Sequence, residues 1–164
     1  MSNAKYAEIL EQSSVPKKVW KTALYLRLSR DDGTESESNS IASQREILKE
    51  YIKRYPDMEI YDIYVDDGYS GTNFDRPDFN RMMDDIYAHK VNCVLVKDLS
   101  RFSRNHTEGG IYLDKIFVKL GVRFIAINNQ IDIGIRGINS FNDLVKVGVT
   151  NIMNESLAAN TSVN

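Results

Sequence analysis

The chain has 164 residues, 42% of them hydrophobic and 27% charged, with a formal net charge of −2. That length gives room for one domain around a single core. The near-neutral balance argues against a free-standing, tight nucleic-acid binder, so any DNA contact has to come from a local basic cluster or from another domain. One cysteine and two histidines leave no disulfide framework and no cysteine-rich zinc module. Cys93 lies in the apolar run Val91 to Val96 and reads as a buried filler residue. No apolar run is long enough to span a membrane, and residues 1–18 lack the apolar centre of a secretory signal. The expectation is a cytoplasmic protein.

In chain order, residues 1–18 read as an arm or leader, with Met1 to Ala4 resembling a vector remnant, and residues 19–164 as the domain. Trp20 to Leu28 is apolar apart from Lys21, Thr22 and Arg27, and predicts a core strand ending at Ser29. Arg30 to Asn39 is acidic and Ser-rich and predicts a loop. Asn39 or Ser40 can cap a helix running to about Arg54, with Ile41, Leu48 and Ile52 on one face and Gln44 within that stripe. A glutamine there needs a partner: either a backbone group at the helix edge or the end of the first strand. Met58 to Val65 predicts a second strand, Asp66 to Pro77 a loop, and Pro77 to about His89 a helix with Phe79, Met82, Met83 and Ile86 on its apolar face. Val91 to Lys97 predicts a buried strand and Asp98 to Thr107 a polar loop. A helix from about Glu108 to Leu120, closed by Gly121, leads to a strand at Val122 to Ile127. Asn128 to Asn139 reads as loop and Ser140 to Ala158 as a final helix. Strands alternating with helices predict an α/β fold, a mostly parallel central sheet flanked by helices.

Three loops follow three strands, and in a parallel sheet they gather at one edge. Together they carry Arg27, Ser29, Asp67, Ser70, Arg76, Arg101 and Arg104. An Arg and a Ser at a strand end suit chemistry at a phosphate, since the hydroxyl can attack while the guanidinium holds the oxygens; a solvated sheet edge is the plainer alternative. Four arginines with hydroxyls make an anion site, phosphate being the obvious anion. The sequence has no Walker loop and no GxGxxG after the first strand, and no His stands near Ser29 as its base.

These residues resemble the serine recombinases, the resolvase and invertase superfamily. Tyr25-Leu-Arg27-Leu-Ser29 is similar to that family's opening motif. Ser40-Ile-x-x-Gln44, Asp67-Gly-Tyr-Ser70-Gly-x-x-x-x-Arg76-Pro, Ser100-Arg101-Phe-Ser-Arg104 and Gly121-Val-Arg-Phe-Ile follow in the family's order, over roughly residues 20–160. The long acidic first loop is most like the large recombinases of mobile elements. The resemblance implies a resolvase-like catalytic domain in which Ser29 forms a phosphoseryl bond to the DNA 5′ end. It further implies that Arg27, Arg101, Arg104 and Arg76 hold the scissile phosphate, and that Gln44, Asp67 and Ser70 orient the site. Tyr25 is a core and supporting residue in this reading. Implied partners are double-stranded recombination sites and further copies of the chain, dimer to tetramer in the intact protein, with no cofactor and no metal.

The chain departs from the family in two places. Ser100 stands where the family has an acid, and Asp98 substitutes only if the loop bends to bring it in. The sequence stops at Asn164 where the family continues a long basic helix, which reads as a truncated catalytic domain. Two rivals remain: a catalytically silent fragment that only associates with partners or DNA, and a phosphate enzyme using Asp66 and Asp67 with Mg²⁺.

Overall fold

The computed structural model describes residues 17–30 and 40–134. The acidic loop before residue 40, the leader up to residue 16 and the final helix expected after residue 139 lie outside the described residues. Five strands form one sheet in the order β2-β1-β3-β4-β5: β1 (Trp20–Leu28), β2 (Met58–Asp67), β3 (Cys93–Val96), β4 (Arg123–Ala126) and β5 (Ile131–Ile133). The pairs β2-β1, β1-β3 and β3-β4 are parallel. β5 pairs antiparallel with β4, through a turn in which Gln130 takes φ 55°. This hairpin falls in a stretch the sequence assigned to loop. Ile-Asp-Ile is too short to alternate visibly, and it becomes a strand because β4 offers an open edge.

Alternation along β1 divides the core. Leu24 and Leu26 face the cluster under helix α1 (Ile41–Lys53), with Leu48, Ile52, Leu95 and Ile125. Ala23 and Tyr25 face the opposite cluster, where Phe79, Met82 and Ile86 of α2 (Pro77–Tyr87) pack with Phe102, Phe117 and Phe124. Helices therefore cover both faces, as a buried parallel sheet requires.

Ser40 caps α1, its hydroxyl accepting from the Ser43 amide at 3.1 Å. A four-residue helix, α3 (Leu99–Phe102), interrupts the expected third loop. Asp98 is its N-cap, and one turn is below the length at which periodicity is readable. Asn105 caps the next helix, α4, whose consecutive segments are His106–Gly110, a π-helical Ile111–Ile116 and Phe117–Leu120. Gly121, at φ 68°, ends it in the left-handed conformation that glycine adopts without a Cβ penalty.

Candidate active site

The C-terminal ends of β1, β2 and β3 lie at one edge, and three elements close on the end of β1 there. Gln44, fully buried on α1, grips both peptide groups of Arg27: its Oε1 accepts from the Arg27 N–H at 3.3 Å and its Nε2 donates to the Arg27 carbonyl at 3.1 Å. The second of the two readings of Gln44 is therefore the observed one. Arg101 of α3 donates from Nη1 to the same carbonyl at 2.9 Å. On the β2 side the Gly68 amide donates to the Leu28 carbonyl at 2.6 Å. Ser29 follows directly, 7% exposed. Its backbone thus emerges from a strand end fixed by α1, α3 and the second loop.

Arg27 is fully buried. Its Nε donates to the Arg101 carbonyl at 3.0 Å, Nη1 to the Tyr69 carbonyl at 2.9 Å and Nη2 to the Ser100 carbonyl at 2.6 Å. The guanidinium thereby ties the second loop to α3. Gly71 lies flat against it: a Cβ there would stand 2.7 Å from Arg27 Nη2 and 2.9 Å from Arg104 Cγ. Arg104 is half-buried, and its amide donates to the Gly71 carbonyl at 2.7 Å.

Arg76 is also fully buried, which departs from the expected place in an open phosphate clamp. Its Nε donates to Asn73 O at 2.8 Å, Nη1 to the Tyr25 hydroxyl at 2.9 Å and Nη2 to Phe102 O at 2.8 Å, and Phe74 stacks beneath it at 4.6 Å. These bonds make Arg76 a brace beneath the loops. Tyr25 in turn donates to Asp66 Oδ2 at 2.8 Å. Burial pushes its phenol well above the ordinary range, against the opposing pull of Arg76, so it stays a neutral bridge between carboxylate and guanidinium.

Asp98 and Ser100 form a local unit. The Ser100 hydroxyl donates to Asp98 Oδ1, and the same oxygen lies 3.5 Å from Arg101 Nε. The bend of α3 thus brings Asp98 onto Arg101, the condition under which it could replace the missing acid. Asp67 and Ser70 are exposed on the rim, and Ser70 is turned into its own loop, its Oγ 2.8 Å from Thr72 Oγ1. Of the paired acids it is Asp66 that is buried, while Asp67 points to the other face of β2, so the two do not share a site. Among the described residues no group of three or more His, Cys, Asp or Glu side chains is placed to hold a metal ion. Sequence reasoning missed Asp66 as a network member, Gly71 as a contact of Arg27, and Lys97, 7% exposed at the end of β3. The available signal for Asp66 was its spacing from Tyr64, which puts both on the face that holds Tyr25.

The family model "Resolvase, N terminal domain" matches residues 22–155. The chain belongs to the resolvase family of serine recombinases. A resolvase family site-specific recombinase from Streptococcus pneumoniae is 33% identical, with a TM-score of 0.60 over 87% of this chain and 93% of that one. The N-terminal catalytic domain of TP901-1 integrase is 28% identical, with a TM-score of 0.66 over 85% of this chain and 97% of that one. The C-terminal catalytic domain of ISC1926 TnpA, an IS607-like serine recombinase, shares the fold at 19% identity, with a TM-score of 0.54 over 81% of this chain and 79% of that one. No curated protein matches. The recombinase domain described here is accordingly a site-specific recombinase catalytic domain, of an enzyme class that cleaves and rejoins DNA. Among its described residues no helix is long and apolar enough to cross a membrane.

Proposed function

We propose that Ser29 is the nucleophile of this recombinase and that Arg101 and Arg104, braced by the buried Arg27, hold the scissile phosphate. The observation that carries the reading is the capture of the Arg27 peptide groups by Gln44 and Arg101, which fixes the backbone two residues before the hydroxyl. Oγ of Ser29 attacks phosphorus and the P–O3′ bond breaks. Solvent takes up the serine proton as Oγ attacks and returns one to the departing 3′ oxygen, so the net change is one proton moved from the serine to the new 3′ hydroxyl. The phosphoseryl ester conserves the bond energy, so a new 3′ hydroxyl can reverse the step without ATP or a metal. Arg101 and Arg104 stabilise charge building on the phosphate, and Arg27 supports them from within the loop network. Gln44 orients the strand end. Asp98, tied to Arg101 and to the Ser100 hydroxyl, takes the place of the acid the family has at residue 100. Asp67 and Ser70, exposed on the rim, orient the site in this reading. Partners in this reading are double-stranded recombination sites of a mobile element and further copies of the chain, dimer to tetramer in the intact protein, acting in the cytoplasm.

The test mixes the intact protein with DNA carrying the ends of its element and maps any protein–DNA adduct by denaturing gel and peptide mass spectrometry, with Ser29→Ala as control. An adduct on Ser29 is expected. DNA binding without an adduct supports the silent-fragment reading, which the substitution at Ser100 favours. Arg101→Ala is expected to slow single-turnover cleavage by about 10² or more, the scale for losing one donor to a developing oxyanion. A loss under about threefold, well below 1 kcal/mol of barrier, removes Arg101 from the role.

A further inference from the structure

We infer that Asp66 is a positioning residue for cleavage, acting through Tyr25 and Arg76 to hold the helix that carries Arg101. This rests on the reading of Ser29 and Arg101 just given.

The inference starts from an exchange of duties at the N-terminus of α2. The N-cap of that helix is Arg76, a residue type poorly suited to capping, and its side chain makes no cap hydrogen bond. The cap is supplied instead from β2. Asp66 Oδ1 accepts from the Asp78 amide at 3.0 Å, and Oδ2 accepts from the Phe79 amide at 2.9 Å. With capping handed to Asp66, the guanidinium at position 76 is available to reach away from its own helix and into α3.

What it reaches is the C-terminal end of α3, where helix carbonyls lack intrahelical partners and carry partial negative charge. Arg76 donates to Phe102 O at 2.8 Å and lies 3.5 Å from Arg101 O, and Arg27 donates to Arg101 O and Ser100 O. Three successive carbonyls of a one-turn helix are thus held by two buried arginines. A helix this short has no stability of its own, so these bonds set its orientation and with it the direction of the Arg101 side chain. Tyr25 links the two halves, donating to Asp66 and accepting from Arg76. The path runs β2, β1, α2, α3 and ends at Arg101, whose Nη1 lies on the carbonyl two residues before Ser29. A cap alone would not need the third bond that Asp66 makes to Tyr25.

Tyr25→Phe separates positioning from capping, whereas Asp66→Asn, with one accepting oxygen in place of two, disturbs both. Phenylalanine keeps the ring contact with Phe79 (centroids 5.8 Å apart) and leaves both amide bonds to Asp66, but breaks the link to Arg76. In the intact protein at saturating DNA, Tyr25→Phe is expected to slow single-turnover cleavage about tenfold or more, the scale of one hydrogen bond to a charged group. The DNA concentration for half-saturation should stay within about twofold, because the network lies beneath the site. Asp66→Asn is expected to do at least as much. In an Arg101→Ala background, Tyr25→Phe should add less than about twofold, because residues acting as one unit are non-additive. Wild-type rates per folded molecule in both variants would overturn the inference, and so would full multiplication of the Tyr25 and Arg101 effects. If Asp66→Asn does not fold, Tyr25→Phe and the double variant decide. A wild-type protein that forms no Ser29 adduct would instead sink the reading beneath; a normal adduct with unaffected variants sinks only this step.

Discussion

Gly71 shows why a motif glycine is needed at this site. Its backbone is not left-handed; the constraint is the guanidinium pressed against it. A Cβ would sit 2.7 Å from Arg27 Nη2, and Arg27 cannot give way without releasing carbonyls of Tyr69, Ser100 and Arg101. Gly71→Ala is therefore expected to cost about 1–3 kcal/mol of stability, the range for overpacking, and to reduce cleavage by more than the stability loss explains. A urea melt alongside single-turnover cleavage checks both. A variant as stable and as active as wild type would mean that the loop shifts freely. At this scale the sequence was partly legible. The motifs group Arg27, Gln44 and Arg101, and the side chains of Gln44 and Arg101 meet at the Arg27 carbonyl. The sequence suggests a phosphate ligand at Arg76, but in the structure it is a buried brace, because spacing reports which loop a residue occupies and not which way its side chain turns. Asp66 was eclipsed by Asp67, although the strand period puts only Asp66 on the face of Tyr25.

At the scale of elements, long periodic segments were readable and short ones were not. β1, α1, α2 and the glycine that ends α4 stand where their patterns put them. α3 and β5, four and three residues long, exist through tertiary contacts: the arginine bonds to the carbonyls of one and the open edge of β4 for the other. The π-helical segment Ile111–Ile116 likewise has no local signature, and it presents Tyr112 to Phe74 at 4.5 Å, joining α4 to the loop that holds Arg76. The end of α2 carries a correctable strain. His89 follows its C-cap at φ 58°, exposed, in a conformation that disfavours a Cβ. His89→Gly is expected to stabilise the domain by about 1 kcal/mol, since left-handed backbone costs an L-residue roughly that much. The midpoint of a urea titration reads the change, and a lowered midpoint would show that the imidazole contributes more than its backbone costs.

Across the whole molecule the sheet is covered on both faces, and that burial makes stability sensitive to alkali. Cys93 lies at the centre, paired in register with Thr22 and Arg123. Removal from water pushes its thiol up to about 12, only partly offset by Arg123. An unfolded chain releases that proton near pH 8.5, the ordinary thiol value. Between those limits the folded state holds a proton that the unfolded state has lost, so stability is full below the lower value and falls as pH rises toward the upper one. The buried phenols of Tyr25 and Tyr64, both raised by desolvation, add the same sign above about pH 10, where free tyrosine ionises. Unfolding free energy measured by urea from pH 8 to pH 10.5 is therefore expected to decline. Cys93→Ala should lower stability throughout through the lost packing, yet remove up to one proton's dependence, about 1.4 kcal/mol per pH unit. The slope, not the midpoint, separates proton linkage from cavity formation. Parallel curves for wild type and Cys93→Ala would mean that the thiol ionises alike in both states and that the centre of the sheet admits water.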